Sequence, residues 1–415
     1  MIYSKIIEIK VGLNFGEGVI PVGRLALRAG QIYFEYDRSF LKLSIEISPL
    51  RLPLQPGVRT FDYTLFEGLP GVFSDSLPDG WGRLLLDRSM RSNNIIPSQL
   101  TPLDRLAYVG KNGMGALVFE PDHEPNDVRS VINLDLLASQ VYSVLEGEAD
   151  NVLQELLSLN GSSAGARPKV VVGIDSSFQN IIHGRVEIPT TFEHWLIKFP
   201  NINDGLDAGA IEYVYALMAK DAGIDMMDTH LFPAQKSAGY FATKRFDRNH
   251  NQRFHVHTAG GLLHSDFRAP SLDYEDLIAL TGILTRNVQE VEKMFRLAVF
   301  NILSHNRDDH AKNFTFLMDS HGEWRLSPAY DLTFSSGPRG EQSTMVMGVG
   351  EHPREEHLIV LGRESKLNSK KINDIVESTK QALNKWPNLA EEYGVAKSNI
   401  SLIWKRISDQ INCKE

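Results

Sequence analysis

The chain has one cysteine in 415 residues, Cys413, so it can form no intrachain disulfide and no cysteine metal cage. That usage points to a reducing compartment. No stretch reaches about 18 uncharged apolar residues, the length a membrane-spanning helix needs. The opening MIYSKIIEIK is interrupted by Lys5, Glu8 and Lys10, unlike a secretory leader, and the expectation is a cytoplasmic protein with no membrane partner. Positive charge is not in surplus either. With 43 Lys+Arg against 52 Asp+Glu, the formal charge of -9 has the wrong sign for a surface whose main partner is a nucleic-acid backbone. There is no internal repeat and no low-complexity tract. What is present is ordinary globular material, 42% hydrophobic and 23% charged with 32 Gly and 19 Pro spread along it, which excludes a disordered or collagenous chain. The length suits two or three domains at about 100–200 residues each.

The first segment reads as strands. Val19–Leu27 and Gln31–Tyr36 flank a turn at Gly30, and IYFEY has the aromatic and β-branched content of a sheet. Phe61–Arg91 turns helical around the Pro78-Asp79-Gly80 break, and strand signal returns at Met114–Phe119. The polar, acidic stretch 121–126 predicts a boundary. Residues 133–158 have the apolar spacing of one or two helices and end at the small-residue loop NGSSAGARPK. Strands follow at Val170–Ile174 and Trp195–Phe199, then a helix at Ile211–Ala222 and a strand at Tyr240–Phe246. Helices predominate afterwards, at Tyr274–Gly282, Val288–His305, Ile372–Trp386 and Ser398–Ile411. The order predicts an α+β fold divided as 1–126, 127–255 and 256–415.

The densest polar cluster is HNRDDHAKNF, His305 to Phe314. Phosphoryl transfer to a hydroxyl needs a carboxylate to accept the proton and oxygen ligands for the cation that shields the phosphates. Arg307-Asp308 with Asn313 five residues on has the spacing of a protein-kinase catalytic loop, whereas Asp309 misses it by one. A hairpin follows, Phe314–Leu317 and Trp324–Leu326 around Ser320-His321-Gly322, and LSPAYDLTF then presents Asp331 for a second metal carboxylate. Upstream, Lys198 is a lone charge in the apolar run HWLIKFP, where an unpaired ammonium is costly. Its expected counterparts are nucleotide phosphate and Glu212 on the following helix. The loop from Asn160 to Lys169 supplies flexible backbone with Arg167 and Lys169 for charge.

These motifs carry a resemblance. SDSLPDGWGRLLLDR, SSAGARPK, WLIKFP, ATKRFDR, RDDHAKNF and LSPAYDLTF occur in the order found in HipA-family serine/threonine kinases, the toxin components of type II toxin–antitoxin modules. The resemblance runs nearly end to end. It implies a protein-kinase-like bilobal fold of HipA type, with a β-rich N-terminal subdomain and an all-helical C-terminal lobe. It also implies ATP and Mg2+ as cofactors, Asp308 as catalytic base, and Asn313 and Asp331 as metal ligands. The nucleotide would meet Ala164, Gly165, Ala166, Arg167, Pro168, Lys169 and Lys198. Lys244, Arg245 and Phe246 would lie at the adenine edge, and His310, Ala311, Lys312, Asn313, Tyr330 and Asp331 would complete the site. Ser162 aligns with the serine that family members autophosphorylate, with Ser163 beside it. A charge near -2 there would repel ATP. The implied partners are a HipB-like helix-turn-helix antitoxin, which makes any DNA contact indirect, and a protein substrate such as an aminoacyl-tRNA synthetase.

Other clusters read plainly. His250, His255, His257 and His264 lack supporting ligand geometry for zinc, and His255 and His257 alternate as on one face of a strand. Lys366, Lys370 and Lys371 fit a solvated helix start, and Ile400, Ile403, Trp404, Ile407 and Ile411 fit core packing. Two rival functions remain: a catalytically idle corepressor that binds the antitoxin, and a small-molecule kinase.

Overall fold

The computed structural model describes residues 4–123, 132–147, 153–160, 165–184, 187–202, 204–266, 268 and 271–412. The chain forms two compact units. The first comprises Met1–Asp204, Ala242–His257 and Leu317–Gly322, and the second Gly205–Phe241, Thr258–Phe316 and Glu323–Glu415.

The first unit opens with a sheet in the order Arg59–Thr60, Gln31–Tyr36, Val19–Arg28, Glu8–Asn14 and Leu117–Glu120. Alternation explains its two faces: Ile9, Val11 and Leu13 are buried, as are Ile32, Phe34 and Tyr36. Phe34 packs against Phe73, and Phe73 meets Phe119 edge-on. The predicted helical stretch 61–91 is broken by its prolines into Phe66–Gly68, Gly71–Ser74 and Gly80–Ser92. The sequence reading missed the helix Pro102–Val109, although Thr101 and Asp104 form a capping box in front of it. The helices Leu134–Glu146 and Leu153–Asn160 follow, then a second sheet in which Ile181–His183, Lys169–Asp175, Phe192–Lys198 and Tyr240–Lys244 lie side by side.

Buried polar groups fasten the segment 242–257 within this unit. Asp247, fully buried, accepts from Arg245 (2.9 and 2.7 Å), from Arg248 (2.6 Å) and from the Gly115 amide (2.7 Å). Burial alone would raise its pKa, but the two guanidiniums outweigh that and hold the carboxyl well below the usual range. The side chains of Arg248 and Arg253 also donate to the carbonyls of Lys111, Gly113 and Gly115. His255 and His257 share the strand His255–Thr258 and are buried, as their alternation predicts. His255 meets the Ile47 carbonyl at 2.9 Å, while His257 bridges Asp75 (2.6 Å) and Ser48 (3.0 Å). These are packing contacts, and among the described residues no group of three His, Cys, Asp or Glu side chains gathers to hold a metal.

The second unit is mainly helical. Its apolar core draws on Ala208–Asp221, Tyr274–Thr285, Val288–Leu303, Glu355–Glu364, Ser369–Leu383, Trp386–Glu392 and Lys397–Asn412. Short strands are added to the expected helices, including the hairpin Thr315–Met318 with Trp324–Leu326. Ile403 and Ile407 are buried in this core, and Ile400, Trp404 and Ile411 pack against it, so the amphipathic C-terminal pattern is core packing. Lys370 and Lys371 open the helix Ser369–Leu383, capped by Asn368. Among the described residues no helix is long and apolar enough to cross a membrane.

Candidate active site

The polar cluster begins where the helix Val288–Leu303 stops. Tyr215, buried between Phe300 and Trp386, donates its hydroxyl to the Ser304 carbonyl at 2.7 Å and fixes the exit of that helix. His305 then turns the chain with φ +60°, and the next residues divide by burial. Asn306, Arg307 and Asp309 are buried, whereas Asp308 is exposed. A proton acceptor must reach solvent-borne substrate, so of the two adjacent aspartates Asp308 suits that work.

Asp308 and Asn313 are brought together by the short helical turn Ala311–Asn313. The Asn313 amide nitrogen donates to the Asp308 carbonyl at 2.7 Å, leaving the amide oxygen as the atom for a cation. Tyr330 joins the next motif to this loop: its hydroxyl donates to the Lys312 carbonyl (2.5 Å) and meets the Thr315 hydroxyl (2.6 Å). Asp331 follows, half-buried with φ +57°. An Asn amide oxygen and an Asp carboxylate are hard donors of the kind magnesium takes, with remaining positions left for phosphate and water. The residues therefore fit the ion.

Asp309 and Arg307 hold the segment that follows. Asp309 accepts from the Tyr274 hydroxyl (2.7 Å), Gln342 Nε2 (3.1 Å) and the amides of Ser343 (3.0 Å) and Thr344 (3.2 Å). Burial raises its pKa to about 6, against the pull of these donors. Arg307 donates to the carbonyls of Gly340 and Glu351, the latter at 3.1 Å, and Asp273 accepts from the amides of Met347 (3.1 Å) and Gly348 (2.7 Å). The side chains of Arg307, Asp309 and Asp273 thus hold main-chain groups of residues 340–351. Glu212 is buried on the helix Ala208–Asp221 of the same unit.

Of the predicted phosphate-binding residues, Gly165 to Lys169 and Lys198 belong to the first unit. Lys169 opens one strand directly opposite Lys198 on its antiparallel neighbour, and both are buried. Cross-strand partners share a face, so two ammonium groups are drawn to one end of the sheet, an arrangement that favours an anion. Arg167 pairs with Asp204 at 3.2 Å, and Phe199 donates its amide to the Pro168 carbonyl. Lys244 pairs with Glu193, and the Arg245 guanidinium is committed to Asp247, leaving half-buried Phe246 and the strand's main chain at the predicted adenine edge. Ser162, Ser163 and Ala164 lie outside the described residues. Sequence reasoning passed over Asp309, Tyr274 and Gln342, because nothing in their local pattern marks them as partners across 33–35 residues.

The description HipA N-terminal domain matches residues 18–120, and HipA-like C-terminal domain matches residues 161–386, more than half of the chain. The chain belongs to the HipA family. A protein of Sinorhizobium fredii named "Putative kinase Y4dM" is 25% identical over 342 residues, covering 75% of this chain and 74% of its own. The Shewanella oneidensis MR-1 HipA, solved with HipB and operator DNA, superposes with a TM-score of 0.68 at 16% identity, covering 97% of this chain and 96% of that one. The fold is therefore the α+β, kinase-like fold of HipA.

Proposed function

We propose that this HipA-family chain is an ATP- and magnesium-dependent serine/threonine protein kinase acting as a growth-arresting toxin. The observation that carries the reading is the Asp308–Asn313–Tyr330–Asp331 arrangement, held together by the Asn313 and Tyr330 hydrogen bonds. Asp308 orients the acceptor hydroxyl and takes its proton. Asn313 and Asp331 hold magnesium, which supplies shielding of the phosphate charge. Lys169 and Lys198 draw the phosphates, and Phe246 offers an apolar face to the base. Glu212 is the proposed ion-pair partner of Lys198. A like-charged phosphate on Ser162 would oppose ATP.

The partner reading follows from the S. oneidensis relative, which was solved with HipB and operator DNA. A helix-turn-helix antitoxin of that kind is proposed here, with DNA reached through it, which agrees with the charge of -9. The substrate is proposed to be a translation component such as an aminoacyl-tRNA synthetase. The test is transfer from γ-labelled ATP by the purified chain. Phosphoserine or phosphothreonine on protein, lost in Asp308→Asn, is the expected result. Label on a metabolite would replace the reading with a small-molecule kinase, and growth arrest that survives Asp308→Ala would replace it with a binding protein.

A further inference from the structure

The helix Gly80–Ser92 begins in an unusual way. Asp79 occupies its N-cap with φ −124° and ψ 173°, a position from which a carboxylate ordinarily accepts from the first turn of its own helix. It makes no such bond. Its Oδ1 accepts from the Gly165 amide at 2.5 Å, and the Trp81 amide donates to the Gly165 carbonyl at 3.1 Å. Gly165 thus spends both main-chain groups on a helix end 86 residues earlier in the chain than itself.

Two glycines permit the approach. A Cβ on Gly80 would stand 2.4 Å from the Gly165 carbonyl oxygen and 2.6 Å from Ala166 Cα, and one on Gly82 would stand 2.6 Å from Asn160 Nδ2. Asn160 is the last residue of the helix Leu153–Asn160 and is buried. The residue entering the small-residue loop and the residues leaving it therefore rest on the same turn. On the other side, Lys169 Nζ lies 2.5 Å from where a Gly165 Cβ would be, and Gly165 has φ +109°, a conformation suited to glycine.

We propose that Asp79 is a positioning residue for ATP: the Asp79–Gly82 turn is the seat that fixes Gly165 and sets the Lys169 ammonium where the phosphates arrive. The inference rests on the ATP-dependent reading above. A glycine and an ammonium held in place before the ligand comes leave less ordering to be done on binding, so the seat acts on ATP affinity without touching ATP. Asp79 is near the N-terminal end of a motif that sequence reading treats only as a family signature, and its part is legible only once the chain is folded.

The experiment uses the full chain with magnesium and a fluorescent N-methylanthraniloyl ATP, and follows hydrogen exchange of peptides covering 160–168. Asp79→Ala is expected to weaken nucleotide binding about tenfold, as loss of one charge-assisted hydrogen bond allows. It is also expected to raise exchange in 160–168 while the amides of 84–92 stay protected. Asp79→Asn keeps an acceptor oxygen and is expected to restore most of both. Unchanged exchange at 160–168 in Asp79→Ala overturns the proposal, as does an Asn variant no better than Ala. A wild-type chain that binds no nucleotide sinks the kinase reading instead, and the exchange data still decide whether the seat exists.

Discussion

Asp308 and Asp309 are neighbours in sequence with opposite environments, one exposed and one wholly buried. Replacing Asp308 by Asn should abolish phosphotransfer and leave the melting temperature within a degree or two. Asp309→Asn should do the reverse of that pattern first, costing on the order of 2–4 kcal/mol in urea titration, because an amide N–H would face the donors now converging on the carboxylate. Stability with little change in Asp309→Asn would show that those hydrogen bonds do not hold the loop. The pH response follows from groups whose folded pKa differs from the free value. His194 and His255 are pushed down to about 3 and His305 to about 4, in each case chiefly by burial. They contribute stability that is present above about pH 6.5 and lost as pH falls toward their folded values. Asp309, raised to about 6, acts in the opposite sense, favouring the fold most below about pH 4 and losing that contribution as pH rises through 6. With three groups against one, the urea midpoint should fall between pH 7 and 5, and His255→Asn should flatten the fall. The spacing of the polar motif singled out Asp308 and Asn313 in the sequence, and the hairpin after it singled out Asp331. Spacing could not distinguish a buried aspartate from an exposed one, since burial is decided by residues such as Tyr274 and Gln342 far along the chain.

Periodicity located most elements, and it failed where proline redirected the chain. The predicted helix Ile372–Trp386 ends at Leu383, and a new helix starts at Trp386 with Pro387 in its first turn, where the missing N–H costs nothing. The short strands around 272–273 and 344–345 had no signal, because they pair two residues each in parallel across about 70 positions. Yet that pairing helps fasten the segment 340–351, which Arg307 and Asp309 also hold. The Arg307 guanidinium holds both ends of that segment through the Gly340 and Glu351 carbonyls, so Arg307→Ala should cost about 1–3 kcal/mol and expose 337–351 to limited proteolysis. Mass spectrometry of the early cleavage products reads this directly; cuts confined to other segments would count against the tie. Gly337 should tolerate no side chain, since a Cβ there would lie 2.0 Å from the Glu341 carbonyl oxygen and the residue has φ +72°.

At the scale of the molecule, stability in the second unit depends on large side chains gathered from helices distant in sequence. Trp386 is fully buried, meets Tyr215 edge-on at 5.5 Å and donates its indole N–H to the Ile400 carbonyl at 3.1 Å. Trp386→Ala should cost about 3–5 kcal/mol by calorimetry. The hydrophobic spacing of the C-terminal helices foretold such a core. That the first unit takes in 242–257 was not legible, because it depends on contacts such as that of Asp247 with Gly115, 132 residues apart. A fragment ending at Asp204 should lack a cooperative melt for that reason.

The same arrangement governs the order in which the protein can come into being. The first unit takes in Ala242–His257 and Leu317–Gly322 as well as the leading segment. On the ribosome, the carbonyls of 111–115 therefore wait for Arg248 and Arg253 to emerge, and the unit closes only after Gly322 has left the tunnel. A chain cut short before that point has the Lys169 and Lys198 strands without the later segments of the first unit, and it should be digested faster than the full chain in limited proteolysis.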